Sequence, residues 1–120
     1  MIAGACHCGA VRVTVPRRPR RLTSCNSSIC RRLGALWAYY PVRDVRIEAK
    51  RGATDEYVGG RDRTLHIVRC GGCGCVTHWT PLRPRPGGRM GVNARNFEPA
   101  DIAKARVRRF DGASSWRFLD

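Results

Sequence analysis

Arg69-Cys70-Gly71-Gly72-Cys73-Gly74-Cys75 is the stretch of sequence that decides the fold. Cys70 and Cys73, with glycines between and after them, form a tight turn that directs both sulfurs toward one point. The glycines suit this turn because it needs backbone conformations that a side chain would penalise. This is the shape of half a tetrahedral zinc site, so another part of the chain must supply the other half.

The other half is predicted at Cys6-His7-Cys8-Gly9, more than sixty residues upstream. We expect the two cysteines of this segment to join those of the glycine-rich turn on one zinc ion. The predicted ligands are Cys6, Cys8, Cys70 and Cys73. Such an ion would cross-link the start of the chain to its middle. A cross-link of this kind stabilises a domain of this small size.

The length and the cysteine usage predict one domain over residues 1–120 in a reducing compartment. Hydrophobic residues make up 42% of the chain, which is enough for a core. The seven cysteines are odd in number and grouped in C-x-C and C-x-x-C clusters, a pattern that favours metal thiolates over a disulfide scaffold. The start of the chain does not predict a signal peptide, and no apolar run approaches the ~18 to 20 residues of a membrane span. We therefore expect a cytoplasmic protein with no membrane partner.

The net charge of +14 points to an acidic partner, either a macromolecule or a small anion. Nearly all of the positive charge is arginine, and it is spread along the chain. No aromatic residue is interleaved with the basic run from Arg17 to Arg21 to form a stacking platform for bases. We do not expect nucleic acid to be the physiological partner.

A second stretch with metal-binding residue types runs from Thr23 to Arg32. Cys25 and Cys30 can reach one metal, although their spacing of five leaves the loop between them loose. Ser28 is predicted to cap a short helix through Arg32, and such a helix start lowers the pKa of nearby thiols. The alternative from spacing alone is that both cysteines are small buried residues.

Short alternating runs bounded by glycine and proline predict a mainly β fold with antiparallel sheets. The clearest runs are Val11 to Val15, Leu36 to Tyr40, Leu65 to Val68 and Val76 to Thr80. Further strands are expected at Asp55 to Val58, Met90 to Ala94 and Val107 to Phe110, with one or two helical turns in Glu98 to Ala103. We interpret His7, His66 and His78 as residues with structural hydrogen bonds rather than as metal ligands.

Three cysteine blocks in this order resemble a known family. They are Gly4-Ala5-Cys6-His7-Cys8-Gly9-Ala10-Val11, then Cys25-x-x-x-x-Cys30-Arg31-Arg32, then Arg69-Cys70-x-x-Cys73-Gly74. Together with Val92-Asn93-Ala94-Arg95 and Phe97, they are similar to the glutathione-dependent formaldehyde-activating family, which includes S-(hydroxymethyl)glutathione synthase. The resemblance extends over essentially the whole chain.

The resemblance implies a zinc-pinned β-tent, or Mss4-like, fold with one structural zinc on the four cysteines named above. It also implies a second, more labile zinc on a C-x-C-x-x-C block, at which Cys25 and Cys30 would be catalytic and metal-binding. The middle residue of that block is Ser27 here, and a neutral hydroxyl is a far poorer zinc ligand than a thiolate. Cys75 is an additional thiol that would help only if the fold brings it close.

Two functions from different classes follow. The first is a zinc-dependent carbon–sulfur lyase that joins a small thiol such as glutathione to formaldehyde or another aldehyde, with Arg31 and Arg32 nearest to bind the glutathione carboxylates. The second is a non-catalytic, zinc-stabilised binding module with a basic surface. Cys25 and Cys30 favour the first function, whereas Ser27 and the charge favour the second.

Overall fold

Ten β-strands and two short helices account for most of the structure, a computed structural model that describes residues 1–120. The strands are β1 (Ile2–Ala5), β2 (Val11–Val15), β3 (Arg21–Cys25), β4 (Trp37–Pro41), β5 (Arg46–Ala49), β6 (Thr54–Gly59), β7 (Leu65–Cys70), β8 (Val76–Pro81), β9 (Arg89–Asn93) and β10 (Arg106–Phe110). The helices are α1 (Cys30–Leu33) and α2 (Pro99–Ile102), and short 3-10 turns lie at Val42–Asp44, Arg61–Arg63 and Ala94–Asn96. The predicted mainly β fold is confirmed. No helix is both long enough and apolar enough to span a bilayer.

The strands form two sheets. The smaller sheet has the order β1-β2-β5, and the larger one has the order β10-β3-β4-β9-β8-β7-β6. All neighbours pair antiparallel except β3 and β10, which run parallel with Phe110 beside Cys25. Because of this parallel pairing, the segment that follows β10 begins beside the end of β3, next to Cys25.

Strand β2 shows why the alternating pattern forms the central strand of the smaller sheet. Val11, Val13 and Val15 are buried, whereas Arg12 between them is exposed. The inward valines fit a pleated surface whose other face is solvated. The main core continues into the larger sheet through Leu22, Ala38, Tyr40, Met90, Val92, Ala94 and Phe97.

The structure differs from the sequence prediction mainly at strands whose side chains are small or polar. β1 and β3 carry no strict apolar alternation, so their strand conformation depends on pairing with β2, β4 and β10 rather than on their own pattern. Strand β5 likewise has only one partner, β2, and a 3-10 turn at Val42–Asp44 precedes it. Strand propensity is weak compared with tertiary pairing, which explains these differences.

One close backbone approach joins the two sheets. Gly4 in β1 forms an isolated antiparallel bridge with Phe97, just after the larger sheet's β9. A Cβ atom at Gly4 would lie 2.5 Å from the carbonyl oxygen of Asn96 and 2.7 Å from the Phe97 ring. A residue without a side chain is therefore required at this position.

We expect Gly4→Ala to lower the free energy of unfolding by about 1–3 kcal/mol, the usual cost of forcing an extra methyl group into a packed region. Urea denaturation followed by tryptophan fluorescence measures this loss. Ala103→Ser is the matched control, since it adds one heavy atom at an exposed position. Equal midpoints for Gly4→Ala and the unmodified protein would contradict the close approach.

Candidate functional site

Four cysteine sulfurs converge at one point of the structure, as the sequence predicted. The Sγ atoms of Cys6, Cys8, Cys70 and Cys73 all lie within 4.8 Å of one another. The Cys6–Cys8 and Cys8–Cys70 sulfur distances are 3.7 Å and 3.5 Å. A tetrahedral site with metal–sulfur bonds of ~2.3 Å has sulfur–sulfur edges of about 3.8 Å, so this cluster has the dimensions to bind one metal ion.

Two tight turns position these sulfurs. Cys70 ends β7, and a hydrogen bond from the Gly74 amide to the Cys70 carbonyl closes the turn at 2.9 Å. Gly74 has a φ of 80°, a conformation that glycine adopts at no steric cost. On the other side, the Gly9 amide donates to the Cys6 carbonyl at 3.0 Å, and Gly9 has a φ of 81°. The two half-sites are therefore built in the same way.

Backbone amides point at the sulfurs, and on Cys70 and Cys73 they lower the pKa of the thiol. The Val11 amide donates to Cys6 Sγ and the Gly72 amide to Cys70 Sγ, each at 3.3 Å. Amides of Cys75 and Cys8 lower the pKa of Cys73 to about 5. Because metals bind the thiolate rather than the thiol, these donors support metal binding by the cluster.

Cys75 lies beside this cluster and not beside Cys25 and Cys30. It packs against Cys6, Val11 and Cys70, and its thiol hydrogen-bonds that of Cys73. The additional thiol is therefore placed as a neighbour of the four-cysteine cluster. It is not positioned to replace the missing thiolate at Ser27.

The histidines take no part in the cluster, which consists of cysteines only. His78 is buried in β8, where its Nδ1 lies 2.8 Å from the Thr77 hydroxyl. Burial lowers the pKa of His78 to about 4, so the ring is neutral at physiological pH. This residue is the hydrogen-bonded strand histidine that the sequence predicted.

The second pair of thiols, Cys25 and Cys30, meets at the end of β3. Their side chains hydrogen-bond each other, and the hydroxyl of Ser27 contacts both. The Trp37 indole N–H donates to Cys30 Sγ at 3.3 Å. The serine therefore occupies the position between the two sulfurs at which the family resemblance calls for a third thiolate.

The two thiols differ sharply in acidity. The Cys30 thiol donates to the sulfur of Cys25 and lowers the pKa of Cys25 to about 5, with further help from the Ser27 hydroxyl and the amides of Ser27 and Gly112. The same donation raises the pKa of Cys30. At neutral pH the pair consists of a Cys25 thiolate and a Cys30 thiol.

The predicted cap of α1 is wrong by one residue. Ser28 makes no side-chain cap, and α1 begins at Cys30. The Ser27 hydroxyl accepts a hydrogen bond from the Cys30 amide at 3.2 Å instead. This hydrogen bond closes the turn between Ser27 and Cys30 just before α1.

Both thiols line a large open cleft of about 1430 Å³ on the larger sheet. Eight arginines and several aromatic rings line it, and no aspartate or glutamate does. Arg31 and Arg32, the arginines expected to bind carboxylates, do not line this cleft. The Arg32 guanidinium donates to the Ser28 carbonyl at 2.7 Å, and Arg31 lines a smaller pocket that Cys25 and Cys30 also line.

The larger sheet is strongly curved around this cleft. Arg61, in the turn between β6 and β7, stacks 4.7 Å from the ring centre of Trp116, which follows β10. Strands β6 and β10 are the two edges of a seven-stranded sheet, and in a flat sheet they would lie about 29 Å apart. A side-chain contact therefore spans the cleft between opposite edges.

Several residues of the site gave no signal in the sequence. Gly112 donates its amide to Cys25, and Trp37 donates to Cys30, but neither is near a cysteine motif in the chain. The Asn26 side chain bonds the Asp111 carboxylate at 3.0 Å and accepts from the Ala113 amide at 3.0 Å. The contacts of Asn26 and Gly112 depend on the parallel pairing of β3 with β10, which local sequence does not encode.

The model of the glutathione-dependent formaldehyde-activating enzyme family matches residues 1–111. The chain belongs to this family. A crystal structure of a Rhodobacter sphaeroides protein has a similar fold, with a TM-score of 0.69 and 30% sequence identity. The alignment covers 88% of this chain and 99% of the Rhodobacter chain. No curated protein matches the sequence.

For this member of the formaldehyde-activating family, we expect about one tightly held zinc per chain on the four-cysteine cluster. Metal binding of this type contributes on the order of 10 kcal/mol to folding, so Cys70→Ser should unfold or precipitate the protein. Elemental analysis of the purified protein measures the zinc. Cys75→Ser is the control, and it should keep both zinc and fold. A folded protein without bound metal would rule out this account of the cluster.

Gly112 offers a test of the second thiol pair. A Cβ atom there would lie 2.6 Å from Cys25 Sγ, so Gly112→Ala should displace the Cys25 sulfur from its amide donors. We expect alkylation of Cys25 by iodoacetamide at pH 6 to slow about tenfold, because the thiolate is the reactive form. Ala113→Ser is the control at the adjacent exposed position. Equal alkylation rates would show that Gly112 does not constrain Cys25.

Proposed function

We propose that this chain is a zinc-binding carbon–sulfur lyase-type enzyme that joins a small thiol to formaldehyde or a related aldehyde. The observation that carries this proposal is the pair of thiols, Cys25 and Cys30, in a cleft that is lined by arginines and free of carboxylates. Family membership supports the same chemistry. The four-cysteine cluster is assigned a structural role, because all four positions of a tetrahedral ion there would be filled by protein sulfurs.

The reaction needs only a sulfur nucleophile and a proton. The thiol sulfur forms a bond to the aldehyde carbon, the carbon–oxygen π electrons move to oxygen, and that oxygen takes up a proton equivalent to the one the thiol lost. The product is an S-hydroxymethyl adduct, and neither an oxidant nor a reductant is consumed. The reverse reaction breaks the same carbon–sulfur bond.

Residues on β3 and α1 would hold a second metal in this cleft. Cys25 and Cys30 supply two sulfurs, and the Ser27 hydroxyl between them is a weak third donor. A zinc ion bound there would stabilise a thiolate at neutral pH and polarise an aldehyde oxygen. Catalytic zinc normally has three protein ligands, so we propose that this site binds metal much more weakly than the four-cysteine cluster.

Other side chains of the cleft would position the reactants. Tyr39 lines the cleft, and burial raises the pKa of its hydroxyl, which keeps the proton on Oη at neutral pH. That hydroxyl can donate to an oxygen that gains negative charge. Arg89 stacks 4.3 Å from the Tyr39 ring centre and can bind an anionic group of the thiol.

The competing function is a non-catalytic binding module with a basic surface. Ser27 favours it, because a serine at this position removes a thiolate from the second site. The two functions differ in a measurable way. An enzyme must accelerate adduct formation above the uncatalysed rate, whereas a binding module only retains its anionic ligand.

Ser27→Cys is the decisive variant. It restores a third thiolate between Cys25 and Cys30, so we expect zinc content under reducing conditions to rise from about one to about two per chain. Adduct formation from ¹³C-formaldehyde and a thiol, followed by NMR exchange, should accelerate with it. Ser28→Cys is the control, because it adds a thiol at the adjacent position, where the side chain makes no cap of α1.

Two results would contradict this account. Two tight zinc ions already present in the unmodified protein would show that Ser27 does not weaken the second site. Two zinc ions in Ser27→Cys without any rate above background would favour the binding module over the enzyme.

A further inference from the structure

The cleft has an unusual excess of positive charge, and most of it is not neutralised by the protein. Of its eight arginines, Arg18 pairs with Asp101 at 3.0 Å and Arg108 with Asp120 at 3.7 Å. The other six have no carboxylate oxygen within 4.0 Å. They are Arg17, Arg20, Arg21, Arg61, Arg63 and Arg89. A ligand that fills this cleft must bring the missing negative charge.

Aromatic rings hold three of these guanidinium groups in place. Arg17 lies 5.9 Å from the ring centre of Tyr40, and Arg61 and Arg89 stack in the same manner on Trp116 and Tyr39. A guanidinium that stacks by its face keeps its N–H edges free for oxyanions. All the cation–π pairs of the protein line this one cleft. The arrangement is therefore preorganised for bidentate binding of phosphate or carboxylate groups.

The cleft is larger than a tripeptide thiol requires. Its volume of about 1430 Å³ exceeds the roughly 300–1000 Å³ of pockets that bury a drug-sized ligand. Glutathione also carries an α-ammonium group, and the lining offers no carboxylate to receive it. An ammonium group placed among guanidinium groups is repelled by their like charge. Both size and charge disfavour glutathione as the ligand that this cleft fits best.

The lining also offers exposed aromatic rings. Tyr57, on the edge strand β6, is 62% exposed although it lines the cleft. Trp116 and Phe118 line the cleft from the C-terminal segment and are also exposed. A planar base stacks on such rings, and this contact is worth about 1–3 kcal/mol per base.

We propose that the cleft binds a phosphorylated, nucleotide-bearing thiol of the coenzyme A type. Its phosphates would bind the six unpaired guanidinium groups, its base would stack on the exposed rings, and its thiol would reach Cys25 and Cys30. The inference rests on the proposed function in that the ligand's thiol is the group that adds to the aldehyde. It changes the class of thiol from a tripeptide to a nucleotide conjugate.

Single-stranded nucleic acid shares phosphates and bases with this ligand. Two observations favour the small thiol. The reactive cysteines lie within the same cleft, and the Arg61–Trp116 contact spans it between the two edges of the sheet. A spanned cleft limits the length of strand that can lie across it.

Isothermal titration of the zinc-loaded full chain with four probes tests the proposal. The probes are coenzyme A, pantetheine, glutathione and a ten-nucleotide thymidine strand, all at 150 mM salt. We expect coenzyme A to bind at least about tenfold more tightly than each of the others, because each charge-assisted hydrogen bond to phosphate contributes a factor of this order. Affinity for pantetheine or glutathione equal to that for coenzyme A would overturn the proposal. Tighter binding of the strand would overturn it in favour of nucleic acid.

Variants locate the contact. Arg61→Gln combined with Arg63→Gln should weaken coenzyme A binding about ten- to a hundredfold and leave pantetheine binding unchanged. The control is the double variant Arg51→Gln with Arg83→Gln, at exposed positions outside the cleft. It removes the same net charge, and we expect it to change coenzyme A affinity little. Equal losses of coenzyme A affinity in both double variants would show that binding depends only on overall charge, and this would overturn the proposal.

The adduct assay separates this inference from the proposed function. Adduct formation with glutathione above background, without coenzyme A binding, overturns the inference and upholds the enzyme. Tight coenzyme A binding without adduct formation from either thiol supports the ligand class and overturns the enzyme.

Discussion

The structure depends on the convergence of four cysteine sulfurs from two tight turns. One turn connects β1 and β2 in the smaller sheet, and the other connects β7 and β8 in the larger sheet. A metal at this point joins parts of the chain that neither the helices nor a long core strand could hold together, since both helices have only four residues. The Gly4–Phe97 bridge and the main core, in which Val13 and Val15 pack with residues of the larger sheet, also connect the two sheets. The cluster therefore fixes the two sheets at a point that lies outside their shared hydrophobic core.

The shape and charge of the cleft follow from the curvature of the larger sheet. Its seven strands curve until side chains from opposite edges meet at Arg61 and Trp116. The concave face then gathers eight arginines that are distant in sequence, and only Arg18 and Arg108 among them have a carboxylate partner. Such an arrangement destabilises the empty protein by like-charge repulsion, an effect that stacking on aromatic rings only partly offsets. Unpaired charge of one sign in a cleft attracts ligands of the opposite charge.

The parts of the fold and site that sequence predicted are those encoded by local chemistry. Cys70 and Cys73 were identifiable because the glycines around them specify a turn, and Val11 to Val15 because burial on one face imposes alternation. Strand β3 was not identifiable, because its polar residues become a strand only when β4 and β10 pair with it. For the same reason Gly112, which approaches Cys25 across the parallel pair, gave no signal. The arginines of the large cleft were not identifiable, because most of them lie far from Cys30 in sequence and reach the thiol pair only through the curvature of the sheet.

The central claim is that the four cysteines form a complete ligand set for one metal ion. Extended X-ray absorption fine structure at the zinc edge of the purified protein tests it most directly. The account predicts a first shell of four sulfurs at ~2.3 Å around each tightly bound zinc, with no nitrogen or oxygen ligand. A shell that contains histidine nitrogen or water oxygen would contradict the assignment of Cys6, Cys8, Cys70 and Cys73 as a complete ligand set.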